Sequence, residues 1–288
     1  MLLGFFFGWL LARKRAERYG IQRRDLDNIA LILPIAGLFG ARFFARLFYA
    51  KLPLVEALKV WEGDGLVFYG GFIFGVGAVL LYGAARRMGL IRLLDCLAPS
   101  AALGLAFGRV GCFLAGCCWG DLCATSGQLA AVNDATVLRQ VQTIPAISQS
   151  SWPMAVRFPE RSEPFRQHVK LGLVEKGEAR SLPVHPVQLY EAMLAGALCV
   201  FLALRGIAHK PGSIALMLLV GYAVIRFGTE YLRADNKIYG WGMTFSQVVS
   251  VYILIGSAAL AALRELWMRR RTEAGREKVE PAEAVTVA

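Results

Sequence analysis

Apolar residues in this chain fall into blocks rather than into the narrow stripes of an amphipathic fold. Seven blocks can be drawn, over roughly 1–12, 29–49, 66–85, 93–115, 187–204, 212–231 and 243–263. A block of about 20 residues matches the roughly 30 Å hydrocarbon layer of a bilayer, where a helix satisfies all its own backbone groups. The pattern predicts an all-α polytopic membrane protein of about seven transmembrane helices. The first block is too short to span unaided. It tilts, draws in flanking residues, continues from a natural N-terminus that lies upstream, or is a signal peptide. Its charges follow the apolar stretch and no small-residue cleavage site is present, which weighs against the signal peptide.

The interruptions divide the chain. Residues 1–119 carry the first four helices, 120–184 form a polar, proline-containing segment, 185–268 carry three more helices, and 269–288 form a charged, then small and polar tail expected to be disordered. Basic residues set the orientation. One set of loops holds Arg13 to Arg24, then Arg86, Arg87 and Arg92, then Arg205 and Lys210, and finally the arginines from Arg264 to Arg276. The opposite short loops hold only Lys51, Lys59, Arg233 and Lys237. The positive-inside rule puts the rich side in the cytoplasm, with the N-terminus out and the C-terminus in. Residues 120–184 are then a small extracytoplasmic head with little regular structure. Composition agrees: the chain is 56% hydrophobic, above the ~45–50% of soluble domains, and only 18% charged. The net charge of +11 is spent on topology and on attraction to anionic lipid headgroups, not on nucleic acid.

Ionisable residues inside the apolar blocks are costly and need partners. Arg42 and Arg46 lie four apart in the second block, and Tyr222, Arg226, Glu230 and Arg233 follow a spacing of four, four and three in the sixth. That spacing puts the latter four on one helical face. Two readings stand: an Arg–Glu pair that locks helices together, or an anion site in which guanidinium forks hold phosphate. The fourth block ends in Gly108-Arg109-Val110-Gly111-Cys112, with Arg109 away from the basic rim. A further junction reads His185-Pro186-Val187-Gln188-Leu189-Tyr190-Glu191, with Gln188 and Glu191 on one face. His185 by itself reads as a surface residue or as a proton carrier.

Taken together these segments resemble the prolipoprotein diacylglyceryl transferase family. The resemblance rests on Leu38-Phe39-Gly40-Ala41-Arg42 with Leu47-Phe48-Tyr49, Val60-Trp61-Glu62-Gly63 with Phe68-Tyr69-Gly70-Gly71, and Asp95 with Ala98-Pro99. It continues through Gly108-Arg109-Val110-Gly111, the His185 to Glu191 run, Gly221-Tyr222, Arg226-Phe227, Glu230, Arg233, and Met243-Thr244 with Gln247. The resemblance implies a multi-pass protein of the bacterial inner membrane. Such a protein moves a diacylglyceryl group from phosphatidylglycerol to the lipobox cysteine of a prolipoprotein, contacting the signal-peptide region and membrane lipids and using no cofactor or metal. It implies catalytic roles for Arg109 and Arg226, with Tyr69 at the position where the family has histidine. Substrate contacts would come from Arg42, Gly70, Gly71, Gly108, Gly111, His185, Gln188, Glu191, Tyr222, Glu230 and Arg233. Cys112 and Ala115 stand where the family pattern has asparagine, and Cys117 where it has glutamate. With the histidine also replaced, a non-catalytic lipid- or partner-binding paralogue and a thiol-dependent lipid transferase are the alternatives.

Of the six cysteines, Cys96 and Cys199 read as packing residues. Cys112, Cys117, Cys118 and Cys123 cluster at the expected outer face, where an oxidising compartment favours disulfides, with Cys118 and Cys123 expected to be oxidised. Inert thiols, a reactive thiol and a metal site are the other readings. The spacing is unlike a CxxC motif.

Overall fold

The computed structural model describes residues 1–61, 65–123, 153–205, 210–234 and 242–286. Glu62 and Gly63, most of the middle of the proposed head, and residues 206–209 and 235–241, with Lys237, lie outside the described residues. The described residues form helices and no named strand: α1 (Leu2–Ala16), α2 (Arg23–Phe44), the short α3 (Leu54–Ala57), α4 (Phe68–Ala85), α5 (Leu90–Ala115), α6 (Glu163–Lys170), α7 (Val187–Leu204), α8 (Ser213–Glu230) and α9 (Phe245–Thr286). Five stretches are long and apolar enough to cross a membrane, namely Arg23–Tyr49, Leu90–Ala115, Val187–Leu204, Ser213–Glu230 and Phe245–Arg269. Tyr69–Ala85 is a shorter apolar helix. The first block forms a 15-residue helix whose apolar side chains Leu2, Leu3, Phe6 and Phe7 are exposed. The chain divides into two compact bodies. One comprises Met1–Phe107 with Gly196–Ala215, the other Gly108–Ala195 with Leu216–Ala288.

In the first body α2 packs along α4. Glycines set how closely they approach: a Cβ on Gly40 would lie 2.5 Å from the Gly70 carbonyl oxygen, and one on Gly71 would lie 3.0 Å from that of Gly37. Small residues facing each other let two helix backbones meet in a medium that offers no hydrophobic drive to helix association. Two buried polar residues here find partners within the body. The buried Arg15 donates to the Ala203 carbonyl and the Tyr19 hydroxyl, both at 2.9 Å. The Asp95 carboxylate accepts from the backbone N–H groups of Gly212 (2.6 Å) and Ala215 (2.8 Å). It thereby satisfies otherwise orphaned donors at the start of α8. After α2 the chain takes a π-helical turn, Ala45–Tyr49. That turn, with Ala50, Gly65, Leu66, Val67 and Tyr69, lines an open cavity of about 470 Å³.

In the second body α5 stops at a glycine. Gly116 has φ +67°, and the bonds Gly116 N–H to Phe113 O and Cys117 N–H to Cys112 O, both 3.1 Å, close a Schellman motif. The chain beyond it is held from two sides. Gly120 N–H donates to His185 O (3.0 Å), Asp121 N–H to Leu232 O (2.8 Å), and His185 N–H to Asp121 O (2.9 Å). Gly120 permits this approach, since a Cβ there would lie 2.6 Å from Leu232 O and 2.7 Å from His185 Cβ. Trp119, Phe158 and Val184 form a small core beside it.

The structure departs from expectation at three places. The head segment contains α6, started by Ser162 accepting from Phe165 N–H and by Pro164 in the first turn. The tail expected to be disordered continues α9 to Thr286. Once an apolar span has nucleated the helix, the following Glu, Ala, Arg and Lys residues favour its continuation, against the cost of Gly275 and Pro281. Arg233 lies past the end of α8, so the expected four-residue stripe is three helical residues followed by one in a bridge with Gly120.

The buried His168 on α6 has its pKa lowered by burial to about 4. At neutral pH it is neutral whether folded or unfolded. As the pH falls below its ordinary 6.5, the unfolded segment takes up a proton and the folded one does not, until the pH nears 4. Acidification across that window should therefore cost the region 153–186 about 3 kcal/mol of protection against opening. Hydrogen exchange, corrected for intrinsic rates, should show it between pH 7 and pH 4.5, and His168→Leu should flatten it. An equal pH response in that variant would contradict the assignment.

Candidate functional site

The second body gathers a buried charge network around Glu191. This residue sits in the second turn of α7 and is 4% exposed. Its Oε2 pairs with Arg109 Nε. Its Oε1 accepts from Arg226 Nη1 at 2.7 Å and from the Thr229 hydroxyl at 2.8 Å. Arg226 Nη2 in turn donates to the Ser246 hydroxyl and pairs with Glu230 Oε2, both at 2.8 Å. Glu230 Oε1 accepts from the Thr244 hydroxyl at 2.7 Å. Thr244 also opens α9 through a capping box with Gln247, whose side-chain oxygen accepts from Thr244 N–H at 2.9 Å. Four chain segments thus meet through two carboxylates and two guanidiniums.

The two arginines are held differently. Both terminal nitrogens of the buried Arg226 are committed to protein oxygens. Arg109 is bound through Nε, its side chain is 19% exposed, and its Nη atoms make no further hydrogen bond or ion pair among the described residues. Cys118, Tyr222 and Arg233 lie within its electrostatic reach. Counting Arg233, three guanidiniums face two carboxylates, so the group keeps a net positive charge. An arginine fork fixed at Nε with its Nη pair open is suited to hold a phosphate.

Other predicted residues take protein partners. Gln188 is buried and donates Nε2 to the Cys117 carbonyl at 2.7 Å. His185 is buried, which corrects the surface reading, and its Nδ1 lies 3.4 Å from the Tyr190 hydroxyl. Burial lowers its pKa and keeps the ring neutral. Gly108 and Gly111 are half-buried on α5, one residue before and two after Arg109. Tyr69, Gly70, Gly71 and Arg42 belong to the first body. There Tyr69 is exposed at the cavity mouth, Gly70 and Gly71 form the helix crossing, and Arg42 donates to Val60 O at 3.4 Å. None of the six cysteines is in a disulfide. Cys123 is buried, its thiol pushed up to about 11 by burial, and stands apart from the group formed by Cys112, Cys117 and Cys118.

A family model for prolipoprotein diacylglyceryl transferase matches residues 1–263. The chain belongs to the prolipoprotein diacylglyceryl transferase family. Within it, a phosphatidylglycerol–prolipoprotein diacylglyceryl transferase of Burkholderia orbicola (strain MC0-3) is 28% identical, the match covering 95% of this chain and 89% of that protein. One of Clostridium perfringens (strain 13 / Type A), carrying the number 2 in its name, is 26% identical over 94% of this chain and 91% of its own. Family membership did not reveal Thr229 or Ser246, which the sequence reading passed over. The signal was there in outline: an intramembrane arginine and carboxylate on facing helices need neutral hydroxyl donors to fill their remaining hydrogen-bonding sites.

The unequal commitment of the arginines sets their stability roles apart. Arg226→Ala takes the shared cation from both Glu191 and Glu230 and should cost about 3–5 kcal/mol. Arg109→Ala removes a group held by one ion pair, to a carboxylate that keeps Arg226 and Thr229, and should cost less than half as much. Thermal unfolding in lipid-free detergent separates them, and equal losses would contradict the geometry.

Proposed function

We propose that this chain transfers the diacylglyceryl group of phosphatidylglycerol to the lipobox cysteine of a prolipoprotein, as the names of its relatives describe for them. The observation that carries the reading is Arg109, pinned at Nε by a buried carboxylate with its Nη pair uncommitted among the described residues. The acceptor thiolate attacks the glyceryl carbon that bears the phosphate ester, a C–S bond forms, and the C–O bond breaks. Glycerol phosphate leaves with a second negative charge. Arg109, with Arg233 and Tyr222 near it, stabilises that charge as it develops. Arg226 acts at one remove by holding Glu191 in place. Tyr69 is the candidate group for the thiol proton; a phenol, with an ordinary pKa near 10, is a weaker base than histidine.

The same reading extends to topology. Seven spans, α1 and α4 among them, set the N-terminus outside and the C-terminus in the cytoplasm of a bacterial inner membrane, with residues 120–184 as the outer head. The asymmetry of lysine and arginine between the loops supports it. Replacement of the family histidine by Tyr69 favours a second reading, a paralogue that binds donor lipid without turning it over.

Purified protein supplied with phosphatidylglycerol and a lipobox peptide should yield the thioether-linked product and glycerol phosphate. Arg109→Lys keeps the charge but loses the planar fork. It should fall nearly as far as Arg109→Ala, by about 10²–10³ in rate, with the fold intact. No product from wild type would favour the paralogue, and full activity in a folded Arg109→Ala protein would contradict the mechanism.

A further inference from the structure

The C-terminal turn of α5 brings three thiols together at the edge of the charge network. The sulfurs of Cys112, Cys117 and Cys118 all lie within 4.8 Å of one another, and all three residues are half-buried. Sequence spacing alone, i, i+5 and i+6, does not converge side chains on a straight helix. The Schellman turn does so here. Gly116 at φ +67° reverses the chain, and Cys118 itself adopts φ +61°. A left-handed conformation costs a residue other than glycine about 1–2 kcal/mol and persists where the surroundings require it. The turn is clamped besides. Gln188 grips the Cys117 carbonyl at 2.7 Å, and its own Oε1, inside a residue 1% exposed, has no hydrogen-bond partner among the described residues.

We propose that Cys112, Cys117 and Cys118 form a binding site for a thiophilic d10 cation, Zn²⁺. Tetrahedral Zn–S bonds of about 2.3 Å require sulfurs roughly 3.8 Å apart, so the existing cluster closes by at most about 1 Å. Binding converts three thiols to thiolates: three protons leave, three Zn–S bonds form, and the complex carries one negative charge with a fourth position for water. The Arg109 guanidinium lies within electrostatic reach of all three sulfurs and offsets that charge. Softness of the donors selects zinc over magnesium or calcium. A disulfide needs sulfurs about 2 Å apart and uses only two of the three; the clustering of a third thiol is what the cation explains. None of the three ligands is placed in the transfer machinery, which the site meets only through the charge of Arg109.

The test uses the full chain in detergent under anaerobic, thiol-free conditions. Co²⁺ should bind at one equivalent per chain, with a sulfur-to-cobalt charge-transfer band in the near ultraviolet and tetrahedral ligand-field bands, all displaced by Zn²⁺. Zn²⁺ should protect Cys112, Cys117 and Cys118, but not Cys123, from alkylation in the wild-type protein. Cys112→Ser and Cys118→Ser should each weaken Zn²⁺ binding by more than the 10–100-fold that outer partners are worth, whereas Cys123→Ser and Cys199→Ser leave it unchanged. The protection arm needs no variant, so a variant that fails to fold leaves the question decidable. Absence of the charge-transfer band, a Cys112–Cys118 disulfide in place of the reduced thiols, or unchanged binding in both cluster variants would overturn the site.

Discussion

One buried carboxylate organises the second body. A charge removed from water into protein and lipid must be repaid by partners of good geometry, and Glu191 has three: Arg109, Arg226 and the Thr229 hydroxyl. Because α7 supplies Glu191, α8 supplies Arg226, Thr229 and Glu230, and α5 supplies Arg109, that single side chain dictates how three helices present their charges. Thr244 extends the constraint to the start of α9 by joining Glu230 while capping its own helix. Electrostatic catalysis demands donors that are already in place when charge develops, and an arginine fixed at Nε by such a network is in place before any lipid arrives.

Backbone devices supply the rest of the placement. The Schellman turn at Gly116 ends α5 at Ala115, six residues beyond Arg109, and Gly120 lets the emerging chain press against His185 and Leu232. Those contacts bring Arg233, although it is outside the helix, beside the start of the His185–Glu191 segment within the second body. In the first body glycine does a different job. Gly70 and Gly71 read as substrate contacts in the sequence, and the structure uses them to let α2 and α4 cross.

Much of this was legible before the structure. Long apolar blocks read directly as helices because lipid leaves the backbone little choice, and Arg109, Arg226 and Glu230 stood out because ionisable residues in such blocks demand a reason. The role of Glu191 was not legible: spacing put it on a face with Gln188 but could not say that two arginines from other helices converge on it. The resemblance implied the same catalytic role for Arg109 and Arg226, whereas Arg226 is occupied by protein oxygens. The cysteine cluster misled for a related reason. Compartment and count pointed to disulfides involving Cys123, but a left-handed residue at position 118, invisible to pattern, groups Cys118 with Cys112 and Cys117 instead. The helical tail was missed because charge was weighed above helix propensity.

The central claim is that Glu191 readies Arg109 for the donor lipid without touching the lipid itself. Native mass spectrometry of the protein released from phosphatidylglycerol-containing micelles measures donor retention directly. Glu191→Gln keeps the shape and both arginines but removes the carboxylate that pins them. The account predicts that this variant, folded as judged by its unfolding midpoint, retains phosphatidylglycerol at least ten-fold less than wild type, while an uncharged lipid is retained equally by both. Undiminished phosphatidylglycerol retention in Glu191→Gln would contradict it.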